Sequence, residues 1–262
     1  VILKKIGEGN KLIAITDHDE INGSIEGMEF VENSNEDVDY IIGVEFDSEF
    51  EYEYNGKTVT AKKVHILGYG MDPECPKLKE KLEYLREERE KRDGNLLAVL
   101  KEEYGVENIS WEDLVSISKK GFIGKPTFAK LLVDRGYADN TQHAFDKYLD
   151  QIHVHKETLS SVDAIKLIHD AGGIAVMAHP MEQRKLKENE TFTAFKPRMY
   201  SMIDKMVEFG IDGIECNHPS ASDAQRELLR EYAREHNKLI TIGTDYHSDK
   251  QDRKYVRYHV MD

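Results

Sequence analysis

The sequence is poor in cysteine and lacks long apolar runs. Its 262 residues hold two cysteines, Cys75 and Cys216, and no CxxC pair. This scarcity favours a reducing compartment over a disulfide-stabilised scaffold. No run approaches the roughly 18 apolar residues of a membrane-spanning helix, and no signal peptide is evident at the start. We therefore expect a cytoplasmic protein that does not associate with membranes.

Basic residues are also in deficit. Lysine and arginine total 36 against 50 aspartate and glutamate residues, which gives a formal net charge of −14. A protein that binds duplex DNA needs a basic surface, so this balance argues against that partner. It leaves open a small anionic substrate, because bound cations can reverse the local potential. With 39% hydrophobic and 33% charged residues, the composition is that of an ordinary globular domain.

What the sequence does contain is a set of five short apolar runs, each followed by side chains that can bind a metal ion. The runs are 12–16, 40–44, 173–178, 212–216 and 239–244, and the side chains that follow them include His18, Glu45, His179, His218 and Asp245. Such runs predict strands buried on both faces of a parallel sheet. In a β/α barrel the carboxyl ends of these strands meet at one rim, where the active site lies. The pattern therefore predicts one shared polynuclear metal site.

The predicted donors are imidazoles and carboxylates without a thiolate, a combination that suits Mn²⁺, Zn²⁺ or Fe²⁺. Two or three such ions can hold a hydroxide nucleophile and clamp the oxygens of a phosphoester. Glu45 is the natural bridging ligand because a carboxylate has two oxygens. Asp245 and His247 can both face the rim, since one residue separates them. His65 lies inside an apparent strand, so it is either a core histidine or a ligand. His218 either supports a ligand, binds the substrate or ligates an ion itself, and ligation is the least favoured of the three.

Other patterns give the rest of the fold. Asn55-Gly56 between two alternating runs predicts a β-hairpin. Residues 76–155 carry helical periodicity and no strand signal, so we expect an inserted helical subdomain that caps the rim. Helices and strands alternate again from 156, except for a polar stretch at 182–198, which predicts a mobile loop. Residues 255–260 could form a last strand.

Several short motifs resemble the PHP (polymerase and histidinol phosphatase) superfamily, and its TrpH-like phosphoesterase branch in particular. The motifs fall at 15–19, 43–45, 65–69, 178–180, 213–215 and 244–247, in the order of that family. The resemblance implies a distorted seven-stranded β/α barrel, built here from 1–75 and 156–262, with two to three metal ions. It further implies metal-dependent hydrolysis of phosphoesters such as nucleoside 3′,5′-bisphosphates or short RNA ends.

Motif matching also implies roles for individual residues. Glu45 and Asp245 are expected to be catalytic. The implied metal ligands are His18, Glu45, His65, His179, Asp245 and His247. Asp17 and Asp19 are expected to orient His18 from behind the ligands. The implied substrate-binding residues are Lys125, Thr127, Arg184 and His218, although Lys125 and Thr127 stand where the branch usually has arginine and histidine. Lysine offers a point charge where arginine offers a two-pronged grip on phosphate.

One departure from the family concerns the first strand. The family begins with a strand that bears His-x-His, whereas this chain begins after it. A barrel without that strand has two unpaired edges, so we expect an opened barrel, one covered in a homodimer, or one closed by another segment. The alternative functions are a PHP-like domain that binds a ligand or partner without turnover and a metal-dependent amidohydrolase. Amidohydrolases often bridge their metals with a carboxylated lysine, and no strand-end lysine is evident here.

Overall fold

A mixed β-sheet flanked by helices forms the larger part of the chain in a computed structural model of the protein, which describes residues 2–118, 123–154, 157–183 and 190–246. The chain divides into two compact units, residues 1–82 with 158–262 and residues 83–157. The first unit holds a six-stranded sheet and a separate pair of strands, β1 (Leu12–Ile13) and β2 (Asp39–Tyr40). The fold class is therefore α/β with a mixed sheet, and the closed seven-stranded barrel stays a prediction.

The six-stranded sheet has the strand order β5-β3-β4-β6-β7-β8. Its strands are β3 (Gly43–Tyr54), β4 (Lys57–Tyr69), β5 (Leu159–Ser160), β6 (Ile174–Met177), β7 (Gly213–Asn217) and β8 (Leu239–Ile242). The strands β6, β7 and β8 run parallel to one another, while β4 is antiparallel to both β3 and β6. The apolar runs at 173–178, 212–216 and 239–244 thus form the parallel strands that they predicted, and the antiparallel strand β4 belongs to the predicted hairpin.

The reason for the antiparallel strand is the predicted hairpin, which the structure confirms. Its turn residues Asn55 and Gly56 both have positive φ angles, 52° and 70°. This is the backbone that a two-residue hairpin turn requires, and Asn-Gly is its preferred sequence. A tight turn of this kind can join only antiparallel strands. The register of the two strands, which shifts between Ser48 and Phe50, places Asp47 directly opposite His65.

The predicted strand at 12–16 is shorter than expected, yet the chain beyond it still lies beside β3. An isolated parallel bridge joins His18 to Glu45. The Glu45 amide donates to the Asp17 carbonyl at 3.0 Å, and the Asp19 amide donates to the Glu45 carbonyl at 2.8 Å. The predicted strand at 40–46 is likewise divided between β2 and β3. These backbone bonds hold the His18 segment next to Glu45.

Helices accompany the strands of this first unit. They are α1 (Ile2–Gly7), α2 (Asn22–Glu32), α7 (Ser161–Asp170), α8 (Pro180–Gln183), α9 (Phe192–Glu208) and α10 (Asp223–Glu235). The predicted loop at 182–198 is wrong at both ends, because α8 includes residues 182–183 and α9 begins at Phe192 after an N-cap at Thr191. Phe195 and Met199, one turn apart, are fully buried and anchor the helix. Residues 184–189 and the possible strand at 255–260 lie outside the described residues.

The second unit is helical in its described part. It contains most of α3 (Pro76–Tyr104), then α4 (Trp111–Ile117), α5 (Lys125–Asp134) and α6 (Thr141–Ala144), which continues as a π-helical turn at Phe145–Leu149. The capping box expected at Ser110 and Asp113 is present. An apolar core of its own, which includes Leu100, Leu114, Phe128 and Leu132, stabilises the unit. None of the described helices is long and apolar enough to cross a membrane.

Candidate metal centre

Three groups of histidine and carboxylate side chains in the first unit bring their donor atoms within 4.8 Å of one another. The groups are His18, Asp47 and His65; Glu45, His65 and His179; and Glu182, His218 and Asp245. Each group draws on two or three separate segments of the chain. Four residues predicted from sequence, His18, Glu45, His65 and His179, thus meet in the first two groups, while Asp245 belongs to the third.

Glu45 lies at the centre of the first two groups. Its Oε1 is 2.8 Å from Nδ1 of His65 and 3.1 Å from Nε2 of His179. Its Oε2 is 3.6 Å from Nε2 of His18. Because the two oxygens face different histidines, the carboxylate has the geometry of a bridging ligand. Strand β3 holds it in place with only 5% of the residue exposed.

Asp47 is a member of the site that the sequence analysis missed. Its Oδ1 lies 3.1 Å from Nε2 of His65 and 3.3 Å from Nδ1 of His18. Asp47 follows Glu45 by two residues on β3, so both side chains point to the same face of the sheet. The sequence signal that could have identified Asp47 is its position two residues after Glu45 on a predicted strand. The other strand of the predicted hairpin carries His65.

The His65 ring is shared between the two groups. Its Nδ1 faces Glu45 and His179, and its Nε2 faces Asp47. A neutral imidazole has one nitrogen with a free lone pair and one that carries a proton. His65 can therefore ligate an ion on one side only, while its other nitrogen donates a hydrogen bond. Glu45 and His179 are the more buried partners, at 5% and 4% exposure, which favours ligation through Nδ1.

The pKa values of the clustered side chains are shifted toward the charged forms of both histidine and carboxylate. Burial alone would lower the pKa of His65, but its contacts with Asp47 and Glu45 outweigh burial and raise that pKa to about 10. Burial would raise the pKa of Glu45, but hydrogen bonds from His179 and His65 hold it well below its usual range. The pKa values of His18 and His179 are raised against the effect of burial by Asp47 and Glu45, respectively. The charged carboxylates of Glu45 and Asp47 thus favour protonated histidines beside them, and a bound metal cation would supply the same positive charge.

His179 occupies a constrained position at the end of β6. Its φ angle is 25°, which is unusual for a residue other than glycine, and its amide donates to Oε2 of Glu215 at 2.8 Å. The ring nitrogen Nδ1 is buried without a hydrogen-bond partner among the described residues. Strain and a buried polar atom without a partner are both typical of functional positions.

Glu215 supports His179 from behind and was not predicted as a site residue. Desolvation raises the pKa of its carboxyl to about 7. The nearby charge of His179 lowers this pKa, while those of Glu45 and Asp245 raise it. The carboxyl lies against the backbone of Gly243, where an added Cβ would be 1.6 Å from Oε1 of Glu215. Glycine is therefore the only residue that fits at 243 without moving Glu215.

The third group lies beside the second, with the rings of His179 and His218 5.5 Å apart between centroids. His218 follows β7 and is 2% exposed. Its Nδ1 is 4.0 Å from Oε1 of Glu182, which lies on α8 and was also not predicted. Asp245 follows β8 with a φ angle of 45°. The distance of 4.0 Å between His218 and Glu182 is longer than the contacts around Glu45.

The remaining predicted residues have the following positions. Asp17 accepts from the Glu45 amide through its carbonyl, and Oδ1 of Asp19 accepts from the Asp47 amide at 3.3 Å. These bonds position the ligand strand β3. Lys125 and Thr127 open α5 in the helical unit, where Lys125 donates to the Leu149 carbonyl and Thr127 accepts from the Gly124 amide. Their role in phosphate binding stays a prediction, and His247 and Arg184 lie outside the described residues.

The chain is similar in sequence to curated hydrolases of phosphate esters. It is 28% identical over 250 residues to a 5′-3′ exoribonuclease of Haemophilus influenzae, across 94% of this chain and 83% of that protein. It is 27% identical over 251 residues to a 3′,5′-nucleoside bisphosphate phosphatase of Chromobacterium violaceum, across 95% and 81%. No protein-family model matches the chain.

Solved structures with a similar fold cover nearly the whole chain. A protein of Bifidobacterium adolescentis, assigned as a metal-dependent phosphoesterase, matches with a TM-score of 0.68 and 23% identity over 96% of this chain and 82% of that one. A Chromobacterium violaceum protein described as an amidohydrolase, with bound sulfate and no metal, matches with a TM-score of 0.70 and 27% identity over 97% and 84%. The α/β fold is therefore one that hydrolases of these kinds use.

Proposed function

We propose that the protein is a metal-dependent phosphoesterase that acts on nucleotide-type substrates. The observation that carries this proposal is the convergence of His18, His65 and His179, from three separate segments, on the Glu45 carboxylate. The relatives named for an activity on RNA or on nucleoside bisphosphates support the same class. A phosphoric ester hydrolase was also the class predicted from the sequence.

The residues present fit a divalent metal centre. They offer imidazole nitrogens and carboxylate oxygens, the donors that Mn²⁺, Zn²⁺ and Fe²⁺ accept, and the buried Nδ1 of His179 has no partner among the described residues. The proposed ligands are His18, Glu45, His65 and His179, with Asp245 and His247 completing two to three ion sites. A bound cation supplies a water of lowered pKa and neutralises phosphate charge.

The protein's own residues then have distinct tasks. Glu45 holds its histidine partners around one carboxylate, and with Asp245 it is the proposed catalytic pair. Asp47 accepts a hydrogen bond from Nε2–H of His65, which fixes the ring and leaves Nδ1 for ligation. Glu215 anchors the His179 backbone through its amide. The formal net charge of −14 disfavours binding to duplex DNA, in keeping with a small substrate.

The finer assignment is to the PHP superfamily and its TrpH-like branch, with a nucleoside 3′,5′-bisphosphate or the end of a short RNA as substrate. Both substrates present a terminal phosphate beside a sugar, and the relatives named above act on one or the other. Lys125, Thr127, Arg184 and His218 are the proposed substrate-binding residues, and the helical unit is the proposed cap. A metal-dependent amidohydrolase is the second candidate, because one structural relative at 27% identity carries that name.

A substrate panel tests the proposal. The protein is purified without chelator, analysed for transition metals, loaded with Mn²⁺ or Zn²⁺, and assayed on adenosine 3′,5′-bisphosphate, a 5′-phosphorylated RNA trimer and an N-acyl amino acid. We expect bound metal and release of phosphate or mononucleotide. Turnover of the amide alone favours the second candidate. Absence of bound metal and of turnover from the loaded protein would support a domain that binds without catalysis.

A homodimer is proposed for the exposed edge of the sheet. Strand β8 lies at one end of the strand order, and its apolar residues Leu239, Ile240 and Ile242 are 37–50% exposed. Leu12 on β1 is also exposed, at 55%. Exposed apolar strand edges pair readily with another chain. Sedimentation velocity should show a dimer that Ile240→Lys dissociates, whereas a wild-type monomer at 100 µM would contradict this assignment.

A further inference from the structure

The turn after β7 fixes which nitrogen of His218 carries the proton. The backbone amide of Ser220 donates to Nδ1 of His218 at 3.2 Å, and the Ser220 hydroxyl lies 2.7 Å from the same atom. A hydroxyl can turn to donate or accept, but a backbone N–H only donates and cannot rotate away. Nδ1 must therefore present its lone pair to Ser220. In the neutral ring, the proton is then on Nε2.

This tautomer decides the chemistry available to His218. A metal ligand needs a free lone pair, yet Nδ1 is engaged by Ser220 and Nε2 carries a hydrogen. His218 stands with Glu182 and Asp245 in a group that could hold a cation by distance alone. We propose instead that His218 is a hydrogen-bond donor that binds a phosphoryl oxygen of the substrate through Nε2. The proposal rests on the proposed phosphoesterase function and deepens it.

The location of His218 suits that task. Strands β6 and β7 are parallel and in register, with Met177 beside Ile214, so the segments that follow them emerge at one edge of the sheet. There the ring of His218 lies 5.5 Å from that of His179, a proposed metal ligand. The ring is almost fully buried, and the His218 carbonyl accepts from the Ala221 amide and from Arg226. These bonds hold a donor in a fixed position next to the metal centre.

The residues around His218 are acidic, so a phosphate bound there needs hydrogen-bond donors. Glu45, Glu182, Glu215 and Asp245 lie in or beside the donor groups, and carboxylates repel a phosphate. Cations offset part of that repulsion, and a buried N–H donor adds a charge-assisted hydrogen bond to an anionic oxygen. The ligand class is thus a phosphate monoester or diester, whose oxygens accept from Nε2–H.

Substitution of His218 tests the proposal on the metal-loaded protein. His218→Ala should raise KM for adenosine 3′,5′-bisphosphate and weaken binding of inorganic phosphate by about tenfold or more, the usual effect of losing a hydrogen bond to a charged group. Metal content should be unchanged. His218→Gln, whose amide places an N–H near the same point, should recover most of the loss. Loss of a metal ion from His218→Ala, or unchanged phosphate binding, would overturn the proposal.

The tautomer itself has a direct readout. In the Zn²⁺-loaded protein labelled with ¹⁵N-histidine, Nδ1 of His218 should show the chemical shift of an unprotonated nitrogen and Nε2 that of a protonated one. The opposite pattern would contradict the assignment. This measurement needs no substrate, so it separates a failure of the tautomer from a failure of the proposed function, which the wild-type assay reports.

Ser220 is the positioning residue in this scheme. Ser220→Pro removes the backbone donor and should raise KM toward that of His218→Ala, whereas Ser220→Ala keeps the donor and should have the smaller effect. In the His218→Ala background, Ser220→Pro should add little, because the ring it positions is gone. A full additional loss in that background, at unchanged thermal midpoint and metal content, would show that Ser220 does not act through His218.

Discussion

The two ends of the candidate site differ in how tightly their donors are joined. Around Glu45, six contacts of 2.8–3.6 Å connect His18, His65, His179 and Asp47. Around His218, the Glu182 carboxylate is 4.0 Å away and the Ser220 amide engages the ring nitrogen. We propose that the first end binds the cations and that the second holds a substrate beside them. If His218 binds the substrate as proposed, donor proximity alone does not define a metal ligand.

The largest effect is expected at the centre of the tight end. Glu45→Gln keeps the size of the side chain but removes the charge that joins three histidines. We expect loss of at least one metal equivalent and a fall in kcat/KM on the order of a thousandfold, since a metal ion contributes several kcal/mol to transition-state stabilisation. Glu49→Gln, an exposed acid on the same strand, is the matched control. Retention of metal and rate by Glu45→Gln would refute the bridging role.

A smaller loss is expected from Asp47→Asn. If Asp47 orients His65 without touching the ion, the substitution should cost about 10- to 100-fold in metal affinity or activity. The side-chain amide oxygen of the Asp47→Asn variant can still accept a hydrogen bond from His65. The amide lacks the negative charge of the carboxylate, so it holds the ring less strongly. Metal titration followed by activity measures the change. A loss as large as that of Glu45→Gln would instead make Asp47 a ligand, and His65 would then ligate through Nε2.

Metal binding should also stabilise the fold, because the donors come from segments far apart in the chain. At a free metal concentration of 100 times Kd, the expected gain in the free energy of unfolding is about 2.7 kcal/mol. Thermal unfolding with and without chelator measures it. The gain should be much smaller in Glu45→Gln and should persist in His218→Ala, which separates the two ends of the site. If both variants lost the same amount of metal-dependent stabilisation, the two ends of the site would have the same role in metal binding.

The smallest effect concerns the support of His179. Gly243→Ala would place a Cβ 1.6 Å from Oε1 of Glu215, so the carboxyl must move and with it the bond to the His179 amide. Overpacking of this kind typically costs about 1–3 kcal/mol. Gly94→Ala, in helix α3 where nothing lies within 4 Å of the added Cβ, is the control and should stabilise by about 0.5–1 kcal/mol. Urea unfolding of the metal-loaded variants compares them, and an unchanged midpoint for Gly243→Ala would be inconsistent with this packing.

Several features of the protein follow from its sequence alone. Asn55-Gly56 permits the positive φ angles of a hairpin turn, and Ser110 with Asp113 forms the predicted capping box. The position of ligand-type residues after apolar runs predicted the meeting of His18, Glu45 and His179. The hairpin turn and the capping box are local, since each depends on backbone preferences within a few residues. The meeting of the three side chains was predicted from the rule that parallel strands end at one rim.

Tertiary structure alone decided the rest. The Asn55-Gly56 turn by itself would pair Asp47 with Val64. A register shift between Ser48 and Phe50 sets Asp47 opposite His65 instead, and such a bulge cannot be read from either strand alone. Likewise, α9 extends back to Phe192 because Phe195 and Met199 find an apolar core, which outweighs the polar residues around them. The division of labour between the two ends of the site rests on one amide of Ser220 against His218, a contact that only the folded turn creates. Sequence thus determined which donors are present, while burial and hydrogen bonding determined what each can do.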